Sequence, residues 1–239
     1  MMDFSDKSVV ITGSGRGLGK KIAYSFAESG ANVVITARSQ EEIKDTAKEI
    51  NNKTIGNAHS IQADISVEKD VKNLVQQTIK QFGQIDFLIN NAAVHQAQPI
   101  LETELATWQK ILDVNLTGTF LCAREFGKEM KKQTFGKIIN ISSTAADTYF
   151  PGFGAYSTSK AGLEGLALVL QEELKKFNID VLTLKLGLVN TVHTRKRIDD
   201  GNPKDWIQPE QLADVIKYFC TKQADIITGT TIDIKGRRA

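Results

Sequence analysis

A short β-branched run, Ser8-Val9-Val10-Ile11-Thr12, leads directly into Gly13-Ser14-Gly15-Arg16-Gly17-Leu18-Gly19. A helical pattern follows, with apolar residues at Ile22, Ala23, Phe26 and Ala27. Gly30 stops it before a second strand-like run, Val33-Val34-Ile35. Strand, glycine loop, helix and strand within about thirty residues make a βαβ unit. The same alternation continues. Helices are expected at 40–50, 67–82, 104–130 (one long or two abutting) and 209–219, with a further helical segment after Pro151-Gly152 carrying Leu163, Leu166, Leu170 and Leu174. Strands are expected at 59–62, 85–89, 138–141, 180–184 and 226–234. The pattern predicts an α/β fold: one doubly wound parallel sheet of about seven strands, helices on both faces, and ligands at the carboxyl ends of the strands.

A length of 239 residues suits a single domain. The net charge of +2 carries no nucleic-acid footprint. No apolar run approaches membrane-spanning length, and the start, Met1-Met2-Asp3-Phe4-Ser5, has no apolar signal core. Cys122 and Cys220 sit in apolar helical patterns and read as buried thiols. A cytoplasmic protein without nucleic-acid or membrane partners is expected.

In its βαβ context the glycine loop reads as a nucleotide site. It lets a pyrophosphate approach the backbone at a helix N-terminus, where open N–H groups and the dipole favour an anion. Residues 13–19 therefore include the candidate contacts Gly13, Ser14, Arg16, Gly17, Leu18 and Gly19. At the end of the second strand stands Ala37, where an acid would select NAD(H). Arg38 follows, and Arg16 lies inside the loop. Two guanidiniums suit a 2′-phosphate, so NADP(H) is expected rather than NAD(H). Alternatively, Arg38 is a solvated residue opening the next helix. Asp64, beside Ile65, is placed to meet an adenine amino group, with Ser66 the better candidate to cap the helix that follows.

Tyr156 and Lys160 are four residues apart on a helical segment, so they share a face. A neighbouring ammonium favours the phenolate and prepares the tyrosine for proton exchange with a substrate oxygen. Asn115 lies inside a helical stretch, where asparagine is unfavourable without a task. The task is either a hydrogen bond to backbone or opening the helix to hold a water. His95 reads as a loop residue on the substrate side. The polar, weakly periodic stretch 192–206 reads either as a lid over the substrate, within 190–208, or as a surface insertion.

Thr12-Gly13-x-x-x-Gly17-x-Gly19, Asn90-Asn91-Ala92, Asn115, Ser143 and Tyr156-x-x-x-Lys160 occur in this order. Ser143 lies thirteen residues before Tyr156 and twenty-eight after Asn115. With these motifs and spacings the chain resembles the short-chain dehydrogenase/reductase family over essentially its whole length. Its runs look closest to the 3-oxoacyl-(acyl carrier protein) reductase branch. The resemblance implies a Rossmann-type NAD(P) domain over 1–239 and hydride transfer between the cofactor and a carbonyl or secondary alcohol.

It also implies roles. Tyr156 would be the general acid in reduction, and Lys160 would tune it and hold the nicotinamide ribose. Ser143 would bind the carbonyl oxygen, and Asn115 would keep a water in the relay. Asn91 and Ala92 would line the adenosine side, while Val189 and Thr191 would meet the carboxamide. The sequence departs from the family at Ala93, where glycine is usual, and at Leu186, where proline is usual.

A ketone or 3-oxoacyl substrate leads, with sugar, polyol or other alcohol oxidation as the alternative. A nucleotide-binding regulator without chemistry is opposed by the intact Asn115, Ser143, Tyr156 and Lys160. Acyl carrier protein is a candidate partner only if a basic face docks it, and Lys131-Lys132 and Lys175-Lys176 read either as that face or simply as solvated charge at helix ends. A homotetramer or homodimer built on the helices around Cys122 and Leu166 is expected.

Overall fold

Strands inside a parallel sheet must be apolar on both sides, and the first strand obeys this rule. In the computed structural model, which describes residues 2–196, 198 and 201–236, β1 (Ser8–Thr12) is buried at every position. Val9 and Ile11 face one helix layer and Val10 the other. The chain continues through α1 (Gly17–Glu28), β2 (Asn32–Ala37), α2 (Gln40–Lys53), β3 (Asn57–Gln62), α3 (Glu68–Phe82) and β4 (Phe87–Asn90). Then come α4 (Leu105–Leu112), α5 (Gly118–Gln133), β5 (Gly136–Ser143), α6 (Gly154–Leu174) and β6 (Ile179–Leu186). The single-turn α7 (Val192–Arg195), α8 (Pro209–Phe219) and β7 (Thr231–Ile234) complete it.

All seven strands pair in parallel, in the order β3-β2-β1-β4-β5-β6-β7. This is the Rossmann-type sheet expected from the sequence. Ile11 is in register with both Ile35 and Ile89, which fixes the centre of the sheet. Residues of α1, α2 and α8 cover one face, and residues of α3, α5 and α6 cover the other. Each large apolar side chain buried here, such as Phe26 or Phe126, contributes about 1.5–3 kcal/mol of transfer free energy.

One local expectation is corrected. Ser66 does not cap α3: the N-cap is Val67, which has no capping side chain. The Ser66 hydroxyl instead donates to Asp64 at 2.6 Å, and the Asp70 carboxylate accepts from the Asp64 N–H at 3.0 Å. Of the two readings of 104–130, one long helix or two abutting ones, the structure shows the second. A π-turn, Asp113–Thr117, separates α4 from α5, with Asn115 at its centre. The segment expected as a lid is anchored at its far end, because Trp206 and Ile207 are buried and Ile207 bridges to Val189. Within it, Arg197, Asp199 and Asp200 lie outside the described residues.

Cys122 and Cys220 are free and buried. Burial pushes the Cys122 thiol up to about 12, so it stays protonated at physiological pH. Cys122 faces the sheet rather than the outer surface of α5. Among the described residues, no helix is long and apolar enough to cross a membrane, and no cluster of His, Cys, Asp or Glu is arranged to hold a metal.

Candidate active site

The order of the strands reverses between β1 and β4, and such a switch point opens a crevice at the carboxyl ends. A dense set of hydrogen bonds closes the floor of this crevice. The Thr12 hydroxyl oxygen accepts from the N–H groups of Asn91 and Ala92, both at 3.0 Å. Asn91 Nδ2 donates to the Thr12 carbonyl at 2.8 Å. Gly13 turns away with φ +65°, and a Cβ there would come within 2.9 Å of Ala92 Cα. Gly19 is tighter still: a methyl would run into the Gly13 carbonyl and lie 2.6 Å from Asn91 Nδ2. Only hydrogen fits, so α1 can enter close against the β1 turn.

Above this floor is a cleft of about 1230 Å³. Helix α1 opens at its edge after Arg16, with no side-chain cap and no acidic residue in the first turn. The N–H groups there are available to an anion. This chemistry fits the pyrophosphate of a nicotinamide dinucleotide. Gly13, Arg16, Gly17, Leu18 and Gly19 line the cleft, as do Arg38, Asp64, Ile65, Asn91, Ala92 and Thr191. Asp64 stands there with its carboxylate already accepting from the Ser66 N–H and hydroxyl.

The side chains of two residues expected at the cofactor do not line the cleft. Ser14 is wholly buried. Its hydroxyl donates to the Ile11 carbonyl at 2.6 Å and accepts from the Thr36 N–H at 2.9 Å, tying β1 to β2 instead of facing the cleft. Val189 packs against the core and bridges to Ile207, and the wall is formed by its neighbours Asn190 and Thr191.

Ser143, Tyr156 and Lys160 lie beyond the walls of that cleft. The link is Val94, which does line it. Asn115 Oδ1 accepts from the Val94 N–H at 2.8 Å, and Asn115 Nδ2 donates to the Val94 carbonyl at 2.9 Å and to Ser159 Oγ at 3.0 Å. One asparagine thereby ties the β4 exit to the helix carrying Tyr156 and Lys160. The hydrogen bond to backbone is the task its side chain performs, and the π-turn is the opening of the helix.

Ser143 ends β5, and its oxygen accepts from the Ala145 N–H at 3.2 Å, which leaves the hydroxyl proton available to donate. Lys160 is buried, donates to the Ile141 carbonyl at 2.7 Å and stands 5.8 Å from the centre of the Tyr156 ring. Burial lowers the Lys160 ammonium to about 8, with the Glu164 charge opposing the shift.

Two features escaped the sequence reading. His95 is a loop residue, as read, but its contacts were not foreseen: its ring packs at 4.4 Å from Phe153 and meets Tyr156 at 5.0 Å. Glu164, one turn beyond Lys160, accepts from Ser142 Oγ at 2.7 Å. The i, i+4 spacing of Lys160 and Glu164 hinted at the second. Nothing local hinted at the first, since the contact joins segments about sixty residues apart.

The lysine pairs read as carrier-protein docking candidates lie away from the site. Lys131 and Lys132 end α5 just before β5 begins, and Lys175 and Lys176 precede β6. They lie at the amino edge of the sheet, about 25 Å from the site by the length of an eight-residue strand. Lys132 and Lys175 are also paired with Glu129 and Glu172.

A parallel doubly wound sheet with a glycine-floored crevice at its carboxyl edge is the architecture of a dinucleotide-dependent oxidoreductase. The model of the family described as short chain dehydrogenase matches residues 7–202. A 3-oxoacyl-[acyl-carrier-protein] reductase of Aquifex aeolicus is 35% identical over 238 residues, covering 96% of each chain. The 3beta-hydroxysteroid dehydrogenase 1 of Eggerthella lenta is 33% identical, over 98% of this chain and 94% of its own. The crystal structure of levodione reductase superposes with a TM-score of 0.91 at 25% identity, covering 98% of both chains. The chain belongs to the short-chain dehydrogenase family, close to its 3-oxoacyl-(acyl carrier protein) reductase branch.

Proposed function

We propose that the protein reduces a ketone or 3-oxoacyl group with NADPH, or runs the reverse oxidation of the secondary alcohol. The carrying observation is the buried Lys160 held against the Ile141 carbonyl, with the Tyr156 ring 5.8 Å from its nitrogen. Bound at the cleft, the dinucleotide supplies the hydride. The chain's own groups manage the oxygen. Tyr156 gives its phenolic proton to the substrate oxygen as negative charge develops there, and the Ser143 hydroxyl donates to the same oxygen. Lys160 has two further N–H donors for a ribose, and its charge favours the phenolate left behind. Asn115 fixes the positions of Val94 and Ser159, and through them the approach of the two halves of the site.

The substrate side is apolar. Phe150 packs on Phe153, and Phe153 on Tyr156, in a continuous row of rings. Ile100 lies against Gly154 at the start of α6, and Tyr149, Leu101 and Leu105 are exposed nearby in sequence. This rim supports a hydrophobic carbonyl compound over a sugar or polyol. The relatives' names, a 3-oxoacyl reductase and a hydroxysteroid dehydrogenase, agree with that preference. Outward-facing Phe120, Leu168 and Val169 on α5 and α6 supply the apolar surface that a homotetramer or homodimer would cover.

The test is NADPH consumption against small ketones, cyclic diketones, 3-oxoacyl thioesters and polyols in the reverse direction. Turnover confined to polyols would refute the substrate reading. Arg16 and Arg38 at the adenosine end support NADP(H), and a titration in which NADH binds tighter than NADPH at moderate salt would sink that choice.

A further inference from the structure

The adenosine end of the cleft holds a charge that the two arginines do not explain. Helix α2 is fastened to the glycine loop: the Thr46 hydroxyl donates to the Gly15 carbonyl at 2.8 Å. Ser39 Oγ caps the same helix by accepting from the Glu42 N–H. These bonds set Glu42 over the loop, so close that a methyl on Gly15 would lie 3.0 Å from Glu42 Cβ. Its carboxylate takes Arg16 Nη1 at 3.0 Å. Arg38 lines the same cleft, and among the described residues it has no carboxylate partner. The two guanidiniums are therefore not equivalent. One is unopposed, and the other is held by a glutamate that itself lines the cleft.

We infer that Glu42 is a cofactor-selecting residue that works against the adenosine 2′-phosphate, by occupying Arg16 and by placing a negative charge beside the phosphate position. The inference rests on the reading of this cleft as a nicotinamide dinucleotide site, whichever of the two nucleotides wild type prefers. A 2′-phosphate carries close to two negative charges near neutral pH, so it meets a net local charge of about +1 with Glu42 present and about +2 without it. A 2′-hydroxyl carries none and is indifferent to the difference. The pair is exposed, with Arg16 83% and Glu42 36% accessible, so the effect is modest and screened by salt.

The test is binding of NADPH and NADH, followed by protein fluorescence or calorimetry, in wild type and Glu42→Gln. The expected result is that Glu42→Gln binds NADPH roughly three- to tenfold tighter at low salt. NADH should change less than about twofold, and the gain should shrink as salt is raised. In an Arg16→Gln background the gain should shrink as well, because the two effects are coupled. Weaker NADPH binding in Glu42→Gln would show that Glu42 orients Arg16 toward the phosphate, and would overturn the inference. Parallel changes for both nucleotides, or none, would also overturn it, by making Glu42 a packing residue of the loop. An undiminished gain in the Arg16→Gln background would refute action through Arg16. A wild type that prefers NADH sinks the cofactor reading without touching the inference, which is read from the change on substitution.

Discussion

The ring of His95 meets the ring of Tyr156 nearly edge-on, with centroids 5.0 Å apart and planes at 77°. Phe153 completes a triangle of rings, 4.4 Å from His95 and 6.2 Å from Tyr156. An aromatic pair of this kind is worth about 0.5–1.5 kcal/mol beyond its area burial. His95→Ala should therefore loosen Tyr156 and lower kcat roughly two- to tenfold. His95→Phe should restore most of the loss, and the dissociation constant for NADPH should stay the same in both. Steady-state kinetics with parallel binding measurements decide it. A thousandfold loss in both variants would make His95 a proton-transfer group instead of a packing partner.

Tyr156→Phe removes one oxygen from a half-buried ring and leaves the aromatic row intact. Turnover should fall to background, while thermal midpoint and NADPH affinity stay close to wild type. Loss of folding or of cofactor binding would mean that the hydroxyl is structural.

Lys160 carries the pH dependence. Its ammonium is lowered by burial from the usual 10.5 to about 8. Between those values the unfolded chain holds a proton that the folded chain has released, so native stability rises with pH across that window. Relative to Lys160→Met, wild type should gain up to about 3 kcal/mol between pH 7 and pH 10.5. Chemical denaturation at several pH values measures this. A flat difference would show that the lysine keeps an ordinary proton affinity. Over the same range, kcat for reduction should turn down above about 8 as the charge that tunes Tyr156 is lost.

Gly19→Ala places a methyl against the Gly13 carbonyl and Asn91 Nδ2. Both belong to the bonded junction of β1 and β4, so they have little room to yield. The expected cost is about 1–3 kcal/mol of stability and a large loss of NADPH affinity. Calorimetry and fluorescence titration check the two effects separately. A variant that binds normally would show that the loop relaxes at no cost.

Much of the architecture was legible in the chain because it follows from local periodicity. Strands buried on both faces must be apolar throughout, so residues 8–12 and 138–141 announced themselves. The start of α8 at Pro209 and the halt of α3 at Gly83 follow from backbone chemistry carried by a single residue. The spacing of Tyr156 and Lys160 fixed their shared helix face before any coordinates.

Tertiary structure decided what those residues meet. The sequence shows that Asn115 is out of place in a helix, but only the fold sets Val94 and Ser159 around it. It shows Ser14 in a glycine loop, but only the β1–β2 register turns that hydroxyl inward to Ile11 and Thr36. The contacts of His95 with Tyr156, and of Arg16 with Glu42, depend on how separate segments are brought to one edge of the sheet. Periodicity records which side of an element is dry. It does not record which distant element supplies the partner, because that is settled by packing of the whole chain.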